Sequence, residues 1–110
     1  MKQGELWYID LNPTVGSEQA GIRPVVILSG NLMNEHLNLV ICCPLTTKIK
    51  NYKGNLVLEP DDMNNLTQKS EIRTLHIRSL SKSRLLNKIG NITLLELESL
   101  KTSLNEILRY

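Results

Sequence analysis

Short apolar runs that end at proline, glycine or asparagine recur along this chain, and they restrict its possible folds more than any other feature. Residues 25–28 read Val-Val-Ile-Leu, which indicates a buried strand. Residues 39–41 read Leu-Val-Ile without alternation, which favours a strand buried on both faces and ended by Pro44. The whole pattern predicts strands over 6–9, 25–28, 38–43, 55–58, 70–77 and 88–92, and helical turns over 32–36 and 79–86. Such elements predict a mainly β domain, a small and strongly bent barrel with appended helices.

The clearest helix lies at the end of the chain. Thr93 is a good N-cap residue, and Glu96 stands three positions later, which completes a capping box. Apolar side chains then recur at helical spacing, at Leu97, Leu100, Leu104, Ile107 and Leu108. This stripe must be covered. We expect it to dock on the barrel, and the alternative is a second subunit.

Length and composition favour one domain spanning residues 1–110. The 110 residues include no phenylalanine, so a core must rest on leucine, isoleucine and valine. A net charge of only +2 means that nucleic-acid binding would need a local basic patch. Cys42 and Cys43 are neighbours on a predicted strand and point to opposite faces, so we expect reduced, buried thiols rather than a disulfide. With no signal peptide and no membrane span in the sequence, a cytoplasmic location is expected.

The loop at residues 16–24, Gly-Ser-Glu-Gln-Ala-Gly-Ile-Arg-Pro, has more polar chemistry than a connecting loop needs. Arg23 offers a planar fork of donors that matches phosphate oxygens. Pro24 biases Arg23 toward extended geometry at the mouth of the next strand. Other cations that could build a local basic patch are Lys48, Lys50, Lys53, Arg73 and Arg78.

These residues suit the cleavage of RNA without a metal. That reaction uses the ribose 2′-hydroxyl as nucleophile and needs stabilisation of the charge that grows on the phosphoryl oxygens. Arg23 could supply the cation, Thr46 a hydroxyl donor, and Glu18 either a base or an ion pair that orients Arg23. The plain alternatives are a surface arginine, a turn threonine and a loop-ordering glutamate. The two histidines, His36 and His76, stand without companions at metal-ligand spacing, so no metal site and no cofactor are predicted.

The chain resembles the MazF/PemK-type toxins of type II toxin–antitoxin pairs. Five blocks carry the resemblance in order and at matching spacing, at residues 4–13, 16–26, 44–47, 70–72 and 76–85. The resemblance implies a CcdB/PemK-like, SH3-like barrel that acts as a homodimer. It also implies a metal-independent endoribonuclease that cuts single-stranded mRNA and leaves a 2′,3′-cyclic phosphate and a 5′-hydroxyl.

The resemblance carries specific roles to residues of this chain. Arg23 and Thr46 match the catalytic positions of the family, and Glu18 matches a carboxylate that matters for activity. His76 stands where many relatives have glutamine, and Leu75 where one branch has an acidic residue, so the general base stays open. The residues predicted to bind RNA are Ser17, Gln19, Thr47, Lys48, Lys50, Tyr52, Arg73 and His76.

Two other functions stay open. A CcdB-like toxin would bind DNA gyrase without being an enzyme, although such relatives are not expected to carry both the 16–24 and the 44–46 blocks. A catalytically inactive relative is the second alternative. If the chain is such a toxin, a cognate antitoxin is expected to bind it through an acidic C-terminal segment. The groove formed by the basic residues would attract acidic side chains as it does phosphates.

Overall fold

The computed structural model describes residues 1–11 and 21–109, which form one antiparallel sheet and two helices. This confirms the predicted mainly β class with a C-terminal helix. Two short 3₁₀ turns, Thr74–His76 and Lys82–Arg84, connect strands. The elements are β1 (Glu5–Asp10), β2 (Ile22–Ile27), α1 (Asn31–His36), β3 (Leu39–Thr46), β4 (Leu56–Leu58), β5 (Ser70–Ile72), β6 (Arg78–Ser81), β7 (Leu85–Asn91) and α2 (Leu94–Arg109).

The long strand β3 organises the sheet. The strand order is β4-β5-β3-β2-β1-β7, and β6 also pairs with β3. One edge of β3 pairs with β2, while its other edge pairs first with β6 and then with β5. The C-terminal end of β3 therefore lies between β2 and β5, and side chains from three strands can meet there.

Both faces of β3 are buried, as its uninterrupted apolar sequence predicts. Cys43 and Leu45 belong to a core layer that includes residues of α2, whereas Val40 and Cys42 belong to a second layer on the opposite face. The two cysteines are free and buried, which confirms the prediction of unpaired thiols. Burial raises the pKa of both Cys42 and Cys43 to about 12, so neither thiol is a ready nucleophile.

Helix α2 begins at the predicted capping box. The Thr93 backbone N–H donates to Glu96 Oε1 at 2.8 Å, and the Glu96 N–H donates to Thr93 Oγ1 at 3.1 Å. Leu97 and Leu100 are buried in the first core layer, so the helix docks within its own chain. The stripe is covered only in part, since Leu108 is 86% exposed. Across the residues that the structure describes, neither helix has the length and apolar character that crossing a membrane requires.

The predicted strand over 70–77 is wrong in its second half. Strand β5 ends at Ile72, and residues 74–76 form a 3₁₀ turn. The Arg73 N–H still follows the β3–β5 register and donates to the Pro44 carbonyl at 2.9 Å, but the Thr74 N–H turns away and donates to Asn55 Oδ1 at 3.1 Å, which ends the strand. His76 therefore lies in a turn rather than in a strand.

Several other element boundaries also differ from prediction, and the larger differences lie at residues 79–86 and at the ends of β2 and β3. The helical turn predicted over 79–86 is largely strand, because β6 and β7 leave only Lys82–Arg84 as a 3₁₀ turn. Strand β3 continues through Pro44 to Thr46, and β2 includes Arg23 and Pro24. Pro44 fits within the strand because a proline has no N–H that needs a partner, while its carbonyl accepts a hydrogen bond from the Arg73 N–H. Arg23 and Thr46 are thus strand residues.

A well-ordered turn at residues 59–66 packs across β7. The side chain of Asn64 is fully buried, and its Oδ1 accepts bonds from the Asp61 and Leu66 N–H groups at 3.0 and 2.9 Å. The Asn91 N–H donates to the Met63 carbonyl at 2.8 Å, which ties the turn to the strand. The backbone of this turn lies directly above Gly90, where a side chain would collide with it.

Candidate active site

A cavity of about 220 Å³ lies at the C-terminal end of β3 and is strongly basic. Four of its lining residues are cationic, and one carboxylate and three hydroxyl-bearing side chains complete most of the wall. Strands β2, β3 and β5 and the loop after β3 all contribute. The lining residues are Arg23, Thr46, Thr47, Lys48, Lys50, Tyr52, Asn55, Glu71 and Arg73.

Strands β2 and β3 carry Arg23 and Thr46 to the same cavity. In the β2–β3 pair, Val25 lies opposite Pro44, and the pairing ends there. Arg23 precedes Val25 by two residues and Thr46 follows Pro44 by two, so both lie just beyond the paired segment, and both line the cavity. On the other side of β3, Thr46 lies opposite Glu71. The cavity wall therefore includes a guanidinium, a hydroxyl and a carboxylate from three neighbouring strands.

Thr46 has a second role in the turn that follows it. Its Oγ1 accepts a hydrogen bond from the Lys48 N–H at 3.2 Å. The hydroxyl therefore orders the start of the loop, as in the plain turn interpretation of this residue. Its proton remains available for another acceptor, because a hydroxyl can accept and donate at once. Thr46 is half-buried and lines the cavity, so that acceptor could be a ligand.

The loop between β3 and β4 presents Lys48, Lys50 and Tyr52 on its exposed side. Its path bends at Asn51, whose φ of 55° lies in the left-handed region. Beneath the loop, Glu71 accepts hydrogen bonds from the Lys50 N–H at 2.7 Å and the Tyr52 N–H at 3.1 Å. The backbone of the loop that carries these cationic side chains is consequently held by a buried carboxylate.

Asn55 closes the loop by bonding in two directions. Its Nδ2 donates to Glu71 Oε2 at 3.1 Å, while its Oδ1 accepts from Thr74 Oγ1 at 2.8 Å. Glu71 and Asn55 are cavity residues that the sequence analysis missed. Glu71 is a carboxylate in a strand whose three residues are all buried, and a buried carboxylate needs donors. The sequence contains that signal, but not which donors satisfy it.

Most of the predicted site residues meet in this cavity. Two of the three predicted catalytic residues, Arg23 and Thr46, line it, together with five of the predicted RNA-binding residues, which are Thr47, Lys48, Lys50, Tyr52 and Arg73. The predicted residues Ser17, Glu18 and Gln19 lie outside the described residues.

His76 lies beside the main cavity rather than in it. It lines a small adjoining cavity of about 40 Å³ that shares Tyr52, Asn55 and Arg73 with the main one. It also lines a larger cavity of about 320 Å³ that includes Leu11, Pro44 and the segment 75–79, and with it Arg78. A ligand that extends from the cavity of Arg23 and Thr46 into either adjoining cavity would therefore meet His76.

Among residues 1–11 and 21–109, no three His, Cys, Asp or Glu side chains are grouped so that they could hold a metal ion. The chemically distinctive part of the described structure is the arrangement of cations and hydroxyl groups around one cavity. Such a cavity suits an anionic ligand, because charged donors form the strongest hydrogen bonds to anionic oxygens.

Comparisons with known proteins agree on one family. The endoribonuclease toxin MazF of Escherichia coli (strain K12) is 31% identical over 105 residues, which are 96% of this chain and 91% of that relative. The crystal structure of MazF (Form-I) from Deinococcus radiodurans matches with a TM-score of 0.85 at 27% identity, covering 100% of this chain and 97% of that one.

A second solved structure, an endoribonuclease in complex with its cognate antitoxin from a mycobacterial species, matches with a TM-score of 0.81 at 25% identity. The match covers 99% of this chain and 95% of that one. The family model described as the PemK-like, MazF-like toxin of type II toxin–antitoxin systems matches residues 2–108. Since that match spans nearly the whole sequence, this chain belongs to the PemK-like, MazF-like toxin family.

Proposed function

We propose that this protein is the toxin of a type II toxin–antitoxin system and an endoribonuclease that cuts single-stranded mRNA. The observation that carries the proposal is that Arg23 and Thr46, on neighbouring strands, line one basic cavity. Relatives named endoribonuclease support it. We also propose that residues 1–110 form one toxin domain, which meets its mRNA substrate in the cytoplasm.

In the proposed reaction, the 2′-hydroxyl oxygen attacks the adjacent phosphorus. A P–O2′ bond forms and the P–O5′ bond breaks, so the products are a 2′,3′-cyclic phosphate and a 5′-hydroxyl. The proton of the 2′-hydroxyl leaves to a base, and the departing 5′ oxygen gains a proton. The reaction uses no metal ion, so cleavage is expected to continue in a chelator.

Each of the two catalytic side chains has a defined part in this scheme. Arg23 is proposed to stabilise the charge that develops on the phosphoryl oxygens and to protonate the leaving oxygen. Thr46 donates its hydroxyl proton to a phosphoryl oxygen while accepting from Lys48. Glu18 is proposed either to take the 2′-hydroxyl proton or to orient Arg23.

The remaining cavity residues are proposed to hold the RNA strand. Lys48, Lys50 and Arg73 face the phosphates, and the exposed ring of Tyr52 offers a surface on which a base can stack. Thr47, together with Ser17 and Gln19 of the loop at residues 16–24, contributes polar contacts. His76, in the adjoining cavities, would contact a flanking nucleotide.

The hydroxyl of Thr46 gives a direct test. We expect Thr46→Val to slow cleavage of a long mixed-sequence RNA by about 100-fold, because it removes one oxyanion donor and keeps the β-branched shape. Thr46→Ser keeps the hydroxyl and should retain cleavage within about 10-fold of the wild-type rate. Initial rates in EDTA, with circular dichroism to check the fold, decide the outcome. Equal rates for the valine variant and wild type would remove Thr46 from the mechanism.

We also propose two protein partners. A second copy of the chain would form a homodimer, with the exposed apolar side chains of Leu75 and Ile77 beside the cavities as candidates for its interface. A cognate antitoxin would place an acidic C-terminal segment over the basic cavity. Light scattering of the protein alone, and then with the product of its genomic neighbour, tests both. A monomer that forms no complex would contradict both proposals.

A further inference from the structure

Glu71 differs from the other residues of the candidate site because it is almost completely buried. The residue is 1% exposed, although its side chain is a carboxylate and it forms part of the cavity wall. It lies on β5 between two partners in the sheet, opposite Thr46 on β3 and Val57 on β4. A charged group so deeply placed must be satisfied by donors of the protein itself.

Those donors all come from the loop that carries the basic residues. Glu71 Oε1 accepts from the Lys50 N–H at 2.7 Å, and Oε2 accepts from the Tyr52 N–H and from Asn55 Nδ2, both at 3.1 Å. The Asn51 backbone contributes as well. Consecutive amides that converge on one anion form the concave backbone arrangement known from phosphate-binding loops, and here the anion belongs to the protein.

The ionised state of Glu71 follows from these contacts. Burial alone would raise the pKa of Glu71, but the hydrogen bonds from Lys50, Asn55, Tyr52 and Asn51 outweigh it and lower the pKa below its usual value. The side chain is therefore a carboxylate at neutral pH. Its lone pairs are directed at the loop, so a role as a direct RNA ligand does not fit.

We infer that Glu71 is a positioning residue, which folds the 47–55 loop around its carboxylate so that Lys48, Lys50 and Tyr52 face the RNA. The inference rests on the proposed function for its substrate. It separates two kinds of residue in the cavity. Arg23 and Thr46 are held by β2 and β3, whereas the loop residues depend on Glu71 for their position.

Substitution by glutamine is the sharpest change, because it keeps the volume of the side chain. A carboxylate only accepts, while an amide must turn an NH₂ group toward the N–H of Lys50 or Tyr52. We expect Glu71→Gln to speed hydrogen exchange of the Lys50 and Tyr52 amides by about 10-fold relative to amides of β2 and β3. The KM for a single-stranded RNA oligonucleotide should rise about 10-fold, with kcat within about 3-fold of wild type.

Glu59→Gln is the matched control, since it removes the same charge from an exposed side chain that lies 3.9 Å from the Lys69 amine. It should leave both measurements unchanged. Unchanged exchange, exchange that rises equally throughout the protein, or a KM equal to wild type would each overturn the role of Glu71. If the wild-type protein does not cleave RNA at all, the proposed function fails instead, and the exchange of the loop amides still decides whether Glu71 orders the loop.

A pair of variants at Asn51 covers the case in which Glu71→Gln does not fold. Asn51 is exposed and has a φ of 55°, a conformation that alanine resists and glycine accepts. We expect Asn51→Ala to raise KM several-fold and to loosen the Lys50 and Tyr52 amides, with kcat retained, and Asn51→Gly to lie closer to wild type. Equal KM values for wild type and Asn51→Ala would contradict the dependence of RNA binding on this loop conformation.

Discussion

Replacing Arg23 with alanine is expected to reduce RNA cleavage by about 1,000-fold or more, with the fold intact. Arg23 is half-buried on β2 and lines the basic cavity together with Thr46 of the neighbouring strand β3. Negative charge grows on the phosphoryl oxygens as the phosphorane forms, so loss of the guanidinium is expected to remove stabilisation from the transition state rather than from RNA binding alone. A loss of this size corresponds to about 4 kcal/mol of transition-state stabilisation.

The measurement is the single-turnover cleavage rate of a long RNA at saturating protein. Lys101→Ala is the control, because it also removes one positive charge. Lys101 lies on the exposed face of α2, where its amine is 3.6 Å from Glu98 Oε1. The control should cleave at the wild-type rate. Circular dichroism and the melting temperature show whether Arg23→Ala is folded. A folded Arg23→Ala protein that cleaves as fast as Lys101→Ala would show that Arg23 is not catalytic.

Replacing Gly90 with alanine is expected to destabilise the fold by about 3 kcal/mol, which lowers the melting temperature by roughly 15 °C. A Cβ at position 90 would lie 2.3 Å from the Met63 carbonyl oxygen and 2.7 Å from that of Asn64. Both atoms belong to the backbone of the turn at 59–66, which hydrogen bonds of buried Asn64 hold in place. The turn would have to lift from β7 and break the bond between the Asn91 N–H and Met63.

Gly30→Ala is the matched control for this effect. Gly30 has a φ of −64° and a ψ of 159°, which alanine also adopts, and no atom lies within 4 Å of the position of an added Cβ among the residues that the structure describes. The unfolding free energy of Gly30→Ala should therefore change by less than about 1 kcal/mol. Urea denaturation of both variants measures the difference, and equal stabilities would contradict the close approach at Gly90.

The sequence predicts those parts of the fold whose signals are local. The capping box of α2 depends on Thr93 and Glu96 alone, and its two hydrogen bonds form as predicted. The apolar run in β3 indicates burial on both faces, and the structure confirms two core layers. The prediction fails where a distant partner decides the outcome: the predicted strand over 70–77 ends early because Asn55, 19 residues away in the chain, accepts the N–H of Thr74.

The same distinction applies to the candidate site. Arg23 and Thr46 could be proposed from their motifs, since each lies at one end of an apolar run, and the pairing of β2 with β3 brings those ends to one cavity. Glu71 could not be assigned its place, because its donors lie about 20 residues earlier in the loop at 50–55. A residue that acts by ordering another segment leaves no local motif, and only the folded arrangement shows what it holds.

The central claim is that this family member cleaves RNA by attack of the 2′-hydroxyl, with Arg23 and Thr46 as the catalytic side chains of the described structure. The most direct test incubates the purified protein with a long mixed-sequence RNA in EDTA and maps both ends of every fragment. We predict cuts at discrete sites, with 5′-hydroxyl ends downstream and 2′,3′-cyclic phosphates upstream, and no cuts with Arg23→Ala. Intact RNA from folded protein, or fragments with 5′-phosphate ends, would contradict the claim.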